Sequence, residues 1–486
     1  MKKFGKCVAV FAAALVLFSG CASTRGADSG EKQKTEKSAK KDKGKNESSF
    51  DIEAFNSAYA NGDFATCIAM LKERNSDAIL NELDSSMLQY LAKDYMASAK
   101  EFVQTQQNMQ QLSKDMTASK IMEAALVGEN SVQYVGNTYE RILAYSMKAV
   151  NALKMGEVDR AIGVFNEYTG NYKDEIAALV QQQKEIAASS GNITDDEKVS
   201  TAIEALGTAG LSVNLGDLSA KSPDSSDAVY DASALLAYLG TLSYLANGDA
   251  EHAQDFAGVL ESTGSAVNVS EDLNIADGMG RLDVVSLTDV IGKRSEMAEI
   301  ARIGNIYGID VTFKLAYPTF EPQNHAINVS KVTLSNGEAK EFTLIEDFDE
   351  AVKKDVAQKS SGAFGRSLFR NITKNSAAVA GSVVALQKAQ EQVSKASNAV
   401  QKKAAEKAYE VAVKGLNVAL LAVVDAEKAD VRQASFFPNK ASAAGFTLEP
   451  GRYTVTVEYT NGKTDVIENV NVEAGKPTVV ISECMN

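Results

Sequence analysis

The chain has 486 residues, 64 acidic against 50 basic, a formal charge of −14 and 45% apolar content. That length supports two to four cored domains, and the acidic excess argues against nucleic acid as a partner, because like charge repels the phosphate backbone. Two histidines and four scattered cysteines, without Cys-x-x-Cys or His-Glu-x-x-His spacing, exclude a zinc centre or a Cys/His catalytic site, and no metal or cofactor is expected.

Lys2, Lys3 and Lys6 precede an apolar run over 7–18, a length that suits a signal peptide and is too short to span a bilayer. Leu17-Phe18-Ser19-Gly20-Cys21-Ala22 resembles the lipobox of bacterial lipoproteins, although Phe18 stands where leucine is usual. The resemblance implies cleavage after residue 20 and acylation (palmitate among the chains) of Cys21. An ordinary secretory signal, with Cys21 incidental, is the alternative. Two or more acyl chains suffice for stable anchoring, so the membrane is the first expected partner. Ala22, rather than aspartate, implies the outer membrane, in either leaflet. Residues 21–49 then form a lipidated cysteine and a Lys-rich disordered tether, with a reach of about 30 Å. Beyond it stand 39 basic and 59 acidic residues, a net charge of −20.

Residues 50–265 read as an α-helical, tetratricopeptide-like (TPR-like) domain. Helix–Gly–acid–helix turns occur at Gly62-Asp63, Gly156-Glu157 and Gly248-Asp249, each with a small residue five positions after the glycine. The glycines are 94 and 92 positions apart, so other helices intervene, near 87–109 and 171–188. Thr194-Asp195-Asp196-Glu197 fits a capping box, and a helix is expected over 228–245. His252 falls on the third hairpin and reads as a structural histidine.

Residues 266–346 hold strands. Gly278-Met279-Gly280 turns into 282–287, and 309–316 is closed by Tyr317-Pro318. Then 327–334 turns at Asn336-Gly337 into 340–345. A helical-hairpin region follows over 347–435. In it Arg366, Arg370 and Lys374 form one basic stripe, which in an acidic body calls for partners, either internal carboxylates or an anionic ligand. Residues 436–486 form a small β module, opening at Pro450-Gly451 and turning at Asn461-Gly462. Cys67 and Cys484 are either a pair or two thiols.

Tyr139-Glu140-Arg141, the Gly–acid hairpins, Leu315-Ala316-Tyr317-Pro318, the 366–374 stripe, Asp430-Val431-Arg432 and Leu448-Glu449-Pro450-Gly451-Arg452-Tyr453 come in that order. Together they resemble a widespread family of uncharacterised bacterial lipoproteins with TPR-like N-terminal halves. The family tends to carry a tryptophan after the Asp-Val-Arg motif, and this chain has none.

The fold class expected is therefore mainly α, with TPR-like hairpins followed by an α+β half. The function expected is a non-catalytic scaffold of the cell envelope that binds an envelope protein through its hairpins. The alternatives are an enzyme or ligand-binding protein with a charged site in the C-terminal half, or a purely structural envelope component. The residues assigned to a shared polar or anion site are Arg366, Arg370, Lys374, Asp430 and Arg432.

Overall fold

A computed structural model describes residues 50–486, except 75, 76, 115, 192–195, 225 and 227. The leader, Cys21, the tether and Thr194 lie outside the described residues.

The N-terminal half is built from paired helices. α1 (Ile52–Ala60) and α2 (Phe64–Glu73) meet at Gly62, which sits at φ +72°, while the Asp63 carboxylate accepts a hydrogen bond from the Thr66 amide at 3.2 Å. α3 (Ala78–Leu91) and α4 (Tyr95–Lys114) make a hairpin where the sequence pattern predicts helix near 87–109. Its left-handed position is held by Lys93 at φ +63°, at a cost of about 1 kcal/mol relative to glycine, so the glycine signal is missing. Asp94 caps the following helix at Ala97 in the same way as Asp63.

After α5 (Ala118–Val127) come α6 (Thr138–Lys154) and α7 (Val158–Glu167), joined at Gly156. A π-helical stretch, Tyr168–Tyr172, links α7 to α8 (Lys173–Gly191). α9 (Glu197–Thr208) is capped by Asp196. α10 (Ala234–Ala246) and α11 (Ala250–Ser262) then form the hairpin at Gly248. The helix expected from 228 begins at 234. Tyr230, Ser233 and the Leu235 amide all donate to the Glu346 carboxylate, which holds the chain extended up to the Ser233 cap. His252 lies 2.8 Å from Asp249 and stacks on Tyr244, a structural role.

Ten strands follow the helices in the sequence or interleave with them: β1 (Gly280–Val290), β2 (Lys293–Ile306), β3 (Ile309–Glu321), β4 (Val329–Leu334), β5 (Ala339–Glu341), β6 (Thr343–Asp347), β7 (Pro438–Leu448), β8 (Gly451–Tyr459), β9 (Thr464–Val472) and β10 (Pro477–Cys484). Between β6 and β7 run the 48-residue helix α12 (Phe348–Lys395), about 70 Å long, and its antiparallel partner α13 (Ala399–Ala426). β3 does not end at Tyr317-Pro318. It continues to Glu321, with Pro318 opposite Glu296 in a two-stranded ribbon, where a residue without an N–H is tolerated. β2, its partner, mixes charged and apolar residues without strict alternation and is half-exposed, so it carries little hydrophobic alternation. The expected strand 340–345 is split, because β5 pairs with β4 while β6 pairs with β7 in another sheet.

The strands of 436–486 are hydrogen-bonded to those of 266–346. One sheet runs β10-β1-β7-β6 and the other β5-β4-β8-β9. β1 explains the layering. Its Leu282 and Val284 pack on Val332, Val455 and Val470 of the second sheet, and its Val285 and Leu287 join the core of the helical half. With both faces covered, nine consecutive residues of β1 are buried. Helices, first sheet and second sheet thus form three layers. A separate core joins α9 and the β2–β3 ribbon to α12 and α13. Cys67 and Cys484 are buried free thiols.

The element that ties the halves together is not regular structure. Residues 427–437 run extended between α13 and β7, across the inner face of the hairpins. The Asp84 carboxylate accepts from the Ser435 amide at 2.6 Å, and Glu140 accepts from the Ala434 amide at 2.6 Å. Phe436 packs on Phe55 and Tyr59, and Phe437 stacks on Phe102. Phe437→Ala should lower unfolding free energy by about 3–5 kcal/mol. Urea unfolding tests this, with the exposed Val400→Ala as a control expected to stay within about 0.5 kcal/mol. An unchanged midpoint for Phe437→Ala would refute the anchoring role of 427–437.

Candidate functional site

The basic stripe on α12 is taken up largely inside the protein. Arg366 makes a fork to Glu129, with Nε and Nη2 each 2.9 Å from a carboxylate oxygen, and also donates to Ser190. Arg370 bridges Glu129 at 2.8 Å and the Glu427 carboxylate, and donates to the Ala125 carbonyl. Lys374 reaches the Val127 carbonyl at 2.9 Å. Burial pushes the Glu129 carboxyl up, but the two guanidinium groups outweigh it and hold it below the usual range. Glu129 stands in a short 3₁₀ turn after α5, and Glu427 follows α13, so the stripe pins both to α12.

Asp430 and Arg432 form a second fork, with Nε and Nη2 each donating at 2.8 Å. Arg432 also meets Asp77 and the Val132 carbonyl, and lies over the Tyr134 ring. Burial raises the Asp430 carboxyl, yet Arg432 and Arg294 hold it below its ordinary value.

Between these two forks lies a cleft of about 170 Å³. The structure brings Arg366, Asp430 and Arg432 to its wall, while Arg370 and Lys374 lie off it. It adds two cations that the sequence reading did not single out, Arg294 of β2 and Lys359 of α12. Both donate to the Asp355 carboxylate, at 3.0 and 2.9 Å, and both donate to the Asn137 side-chain oxygen, at 2.7 and 2.9 Å. Arg294 is 7% exposed, and its Nε–H has no acceptor among the described residues. Gln183, opposite, has a buried side-chain oxygen without a donor. Burial pulls the Lys359 ammonium below its ordinary value and Arg294 adds to this, against the pull of Asp355. Met116, Ile121, Leu179 and Ile186, from the segment before α5, α5 itself and α8, supply an apolar wall.

Glu129, Arg294, Asp355, Lys359 and Glu427 have no local motif, and Asn137 belongs to the Asn137–Glu140 capping box that starts α6. The one signal for the carboxylates was indirect, since three cations in a row on a helix of an acidic protein require buried carboxylates somewhere. Of the Tyr139-Glu140-Arg141 motif, Glu140 accepts from Tyr134, the Asn137 amide and the Ala434 amide. Arg141 pairs with Glu175 at 2.6 Å, and Tyr139 is fully buried. All three are structural in their contacts. Among the described residues no group of three or more His, Cys, Asp or Glu side chains is placed to hold a metal ion, and no helix is long and apolar enough to cross a membrane.

Comparison with protein-family models, with characterised proteins and with solved structures finds no match. The family resemblance therefore rests on the sequence motifs alone.

Arg370→Ala leaves two buried carboxylates short of a partner and should cost about 3–5 kcal/mol, read as a fall in melting temperature. An unchanged value would show that the stripe does not hold α5, α12 and α13 together. A pH effect follows from Asp84, whose carboxyl burial pushes up from 3.8 to about 7. The folded state then binds a proton more tightly than the unfolded chain between those values. This contribution to stability is present at low pH and is lost as pH rises from 3.8 to about 7. Glu140 shifts in the same direction, chiefly through burial. Urea unfolding across that range should show a shallower slope for Asp84→Asn, which keeps an acceptor for Ser435. An equal slope would exclude Asp84 as the source.

Proposed function

We propose that this protein is a cell-envelope lipoprotein, held at the outer membrane by lipid on Cys21, that binds a small ligand in the cleft between its helical half and its C-terminal half without transforming it. One observation carries the reading. Four cationic side chains line an otherwise largely apolar cavity against two carboxylates, and the buried Arg294 among them keeps a donor without an acceptor. The convergence of these four cations on one cavity supports a ligand site over a packing defect.

The same wall argues for binding rather than catalysis. Both lining carboxylates, Glu129 and Asp430, are clamped by arginine forks, and Lys359 is paired to Asp355. Among the described residues that line the cleft, no carboxylate is left as a general base. The scaffold role expected of TPR-like hairpins would use their inner face, and residues 427–437 cover it. An envelope protein partner would therefore meet the outer faces of the helices.

A thermal-shift screen of small molecules tests the site, using the full chain and the cleft-filling variant Ile186→Trp. At least one compound should raise the melting temperature of the wild type and not of the variant. If every stabilising compound acts equally on both, the cleft is not the site. For the anchor, Cys21→Ser should move the protein from the membrane fraction to the soluble one, and retention in the membrane would overturn the lipid attachment.

A further inference from the structure

The side of α13 turned away from α12 is apolar, where the solvent face of a helix is normally polar. Ala405, Leu416 and Leu420 are the buried residues of α13. Along the opposite side run Ala408, Val411, Gly415, Val418 and Ala422, and each is exposed. Val411 is 62% exposed and Val418 65%, with Leu421 beside them at 52%. The row steps by three and four residues in turn, the spacing of a seam that packs on another helix. Within the chain this seam is left open.

Gly415 stands in the middle of the row. Its backbone is helical, and no other part of the chain lies within 4 Å of where a Cβ would stand. A glycine inside a helix costs about 1 kcal/mol relative to alanine, and nothing in the chain requires one here. A second backbone passing closely over this point would require it.

Lys407 and Asp425 border the row. They are 18 positions apart, or about five whole turns, so both stand on one flank, at equal distances from Leu416. Both are exposed. The ion pairs within this part of the hairpin are Glu391–Lys395 and Glu410–Lys414, and Lys407 and Asp425 take part in neither.

This pattern is complementary to its own reverse. About a two-fold axis residue i meets residue j and j meets i. With the axis at the level of Leu416, Lys407 of each copy meets Asp425 of the other, and Val411 meets Leu421. The two Gly415 backbones cross beside the axis. A parallel pairing would instead set Lys407 against Lys407. The protein is strongly acidic as a whole, but residues 375–426 hold six lysines and four acidic residues, so two copies repel least along this hairpin. An anionic membrane suits the face less well. Interfacial helices bury long aliphatic or aromatic side chains, and this row is alanine, valine and glycine with Glu410 and Asp425 along its flank.

We propose that α13 is a self-association surface, on which two copies of this protein pair antiparallel along Val411, Gly415, Val418 and Leu421. Lys407 and Asp425 set the register. The helices overlap over about 21 residues, or about 31 Å, which is small for a permanent interface. The dimer is therefore weak in solution, with a Kd of about 10–100 µM.

Sedimentation velocity of the full chain carrying Cys21→Ser tests this across a concentration series. A reversible monomer–dimer equilibrium is expected. Val418→Asp should abolish the dimer, and Val384→Asp, on the exposed side of α12, should leave it unchanged. Gly415→Gln should also abolish it while keeping or raising the melting temperature, because glutamine favours a helix more than glycine does. Lys407→Asp and Asp425→Lys should each weaken pairing about tenfold, and the double swap should restore it. A monomer at every concentration up to about 0.5 mM would overturn the proposal. So would a dimer that survives both Val418→Asp and Gly415→Gln, and a double swap without rescue would overturn the antiparallel register. A monomeric chain that binds anionic vesicles, but not after Val418→Asp, would assign the face to the membrane instead.

Discussion

Residues 427–437 impose the constraint on which the rest of this structure depends. An extended segment without a helix or sheet ladder of its own must find partners for its amides or leave them unsatisfied in the interior. Here Asp84 and Glu140, from two different hairpins, accept two successive amides, and the aromatic rings of Phe436 and Phe437 fill the apolar spaces beside them. The buried carboxylates are themselves costly. Their expense is offset by strong hydrogen bonds and by protonation, which is why burial moves both carboxyls upward. A segment held this way fixes where α13 ends and β7 begins, and so fixes the helices against the sheets.

The layering follows from that placement. β7 enters the first sheet next to β1, and β10 closes on its other side in parallel register. β1 thereby becomes a strand with two hydrophobic faces, one for the helices and one for the second sheet. The second sheet draws strands from both sides of the long helical pair in sequence, β4 and β5 before it, β8 and β9 after it. The long helix α12 contributes to two different cores along its length, and its arginines at 366 and 370 tie the 3₁₀ turn at Glu129 to the end of α13.

The cleft sits where these elements meet but do not fill the space between them. Its floor comes from β2, α12 and the start of 427–437, and its apolar wall from the helices around α5 and α8. Ion pairs on its two flanks are complete within the protein, and at the corner between them Arg294 and Lys359 share the carboxylate of Asp355. A small-molecule role is compatible with the tethered, membrane-anchored arrangement proposed for the chain, since the tether would let the body sample the space near the membrane.

Much of the architecture was legible in the residues. Gly62, Gly156 and Gly248, each followed by an acidic residue, marked three helical hairpins because a left-handed backbone turn favours glycine, and at Asp63 and Asp249 the acidic side chain also caps the next helix. The Pro-Gly and Asn-Gly turns marked the C-terminal strands, and the lysine-led apolar run before Cys21 carried the expectation of a lipoprotein. The hairpin at Lys93 was not legible, because its left-handed residue has a side chain and so resembles ordinary helix. β2 was not legible either, because a ribbon with half-exposed charges lacks the alternation that reveals a strand. Helices and turns are set largely by contacts within a few residues, so the sequence by itself determined that the chain is mainly helical with a strand-rich C-terminal part. The pairing of β1 with β7 and β10, the threading of 427–437 and the meeting of Arg294 with Lys359 join residues tens to hundreds of positions apart. Only the tertiary structure decided these, because charge matching and burial at such distances depend on where the whole chain has already packed.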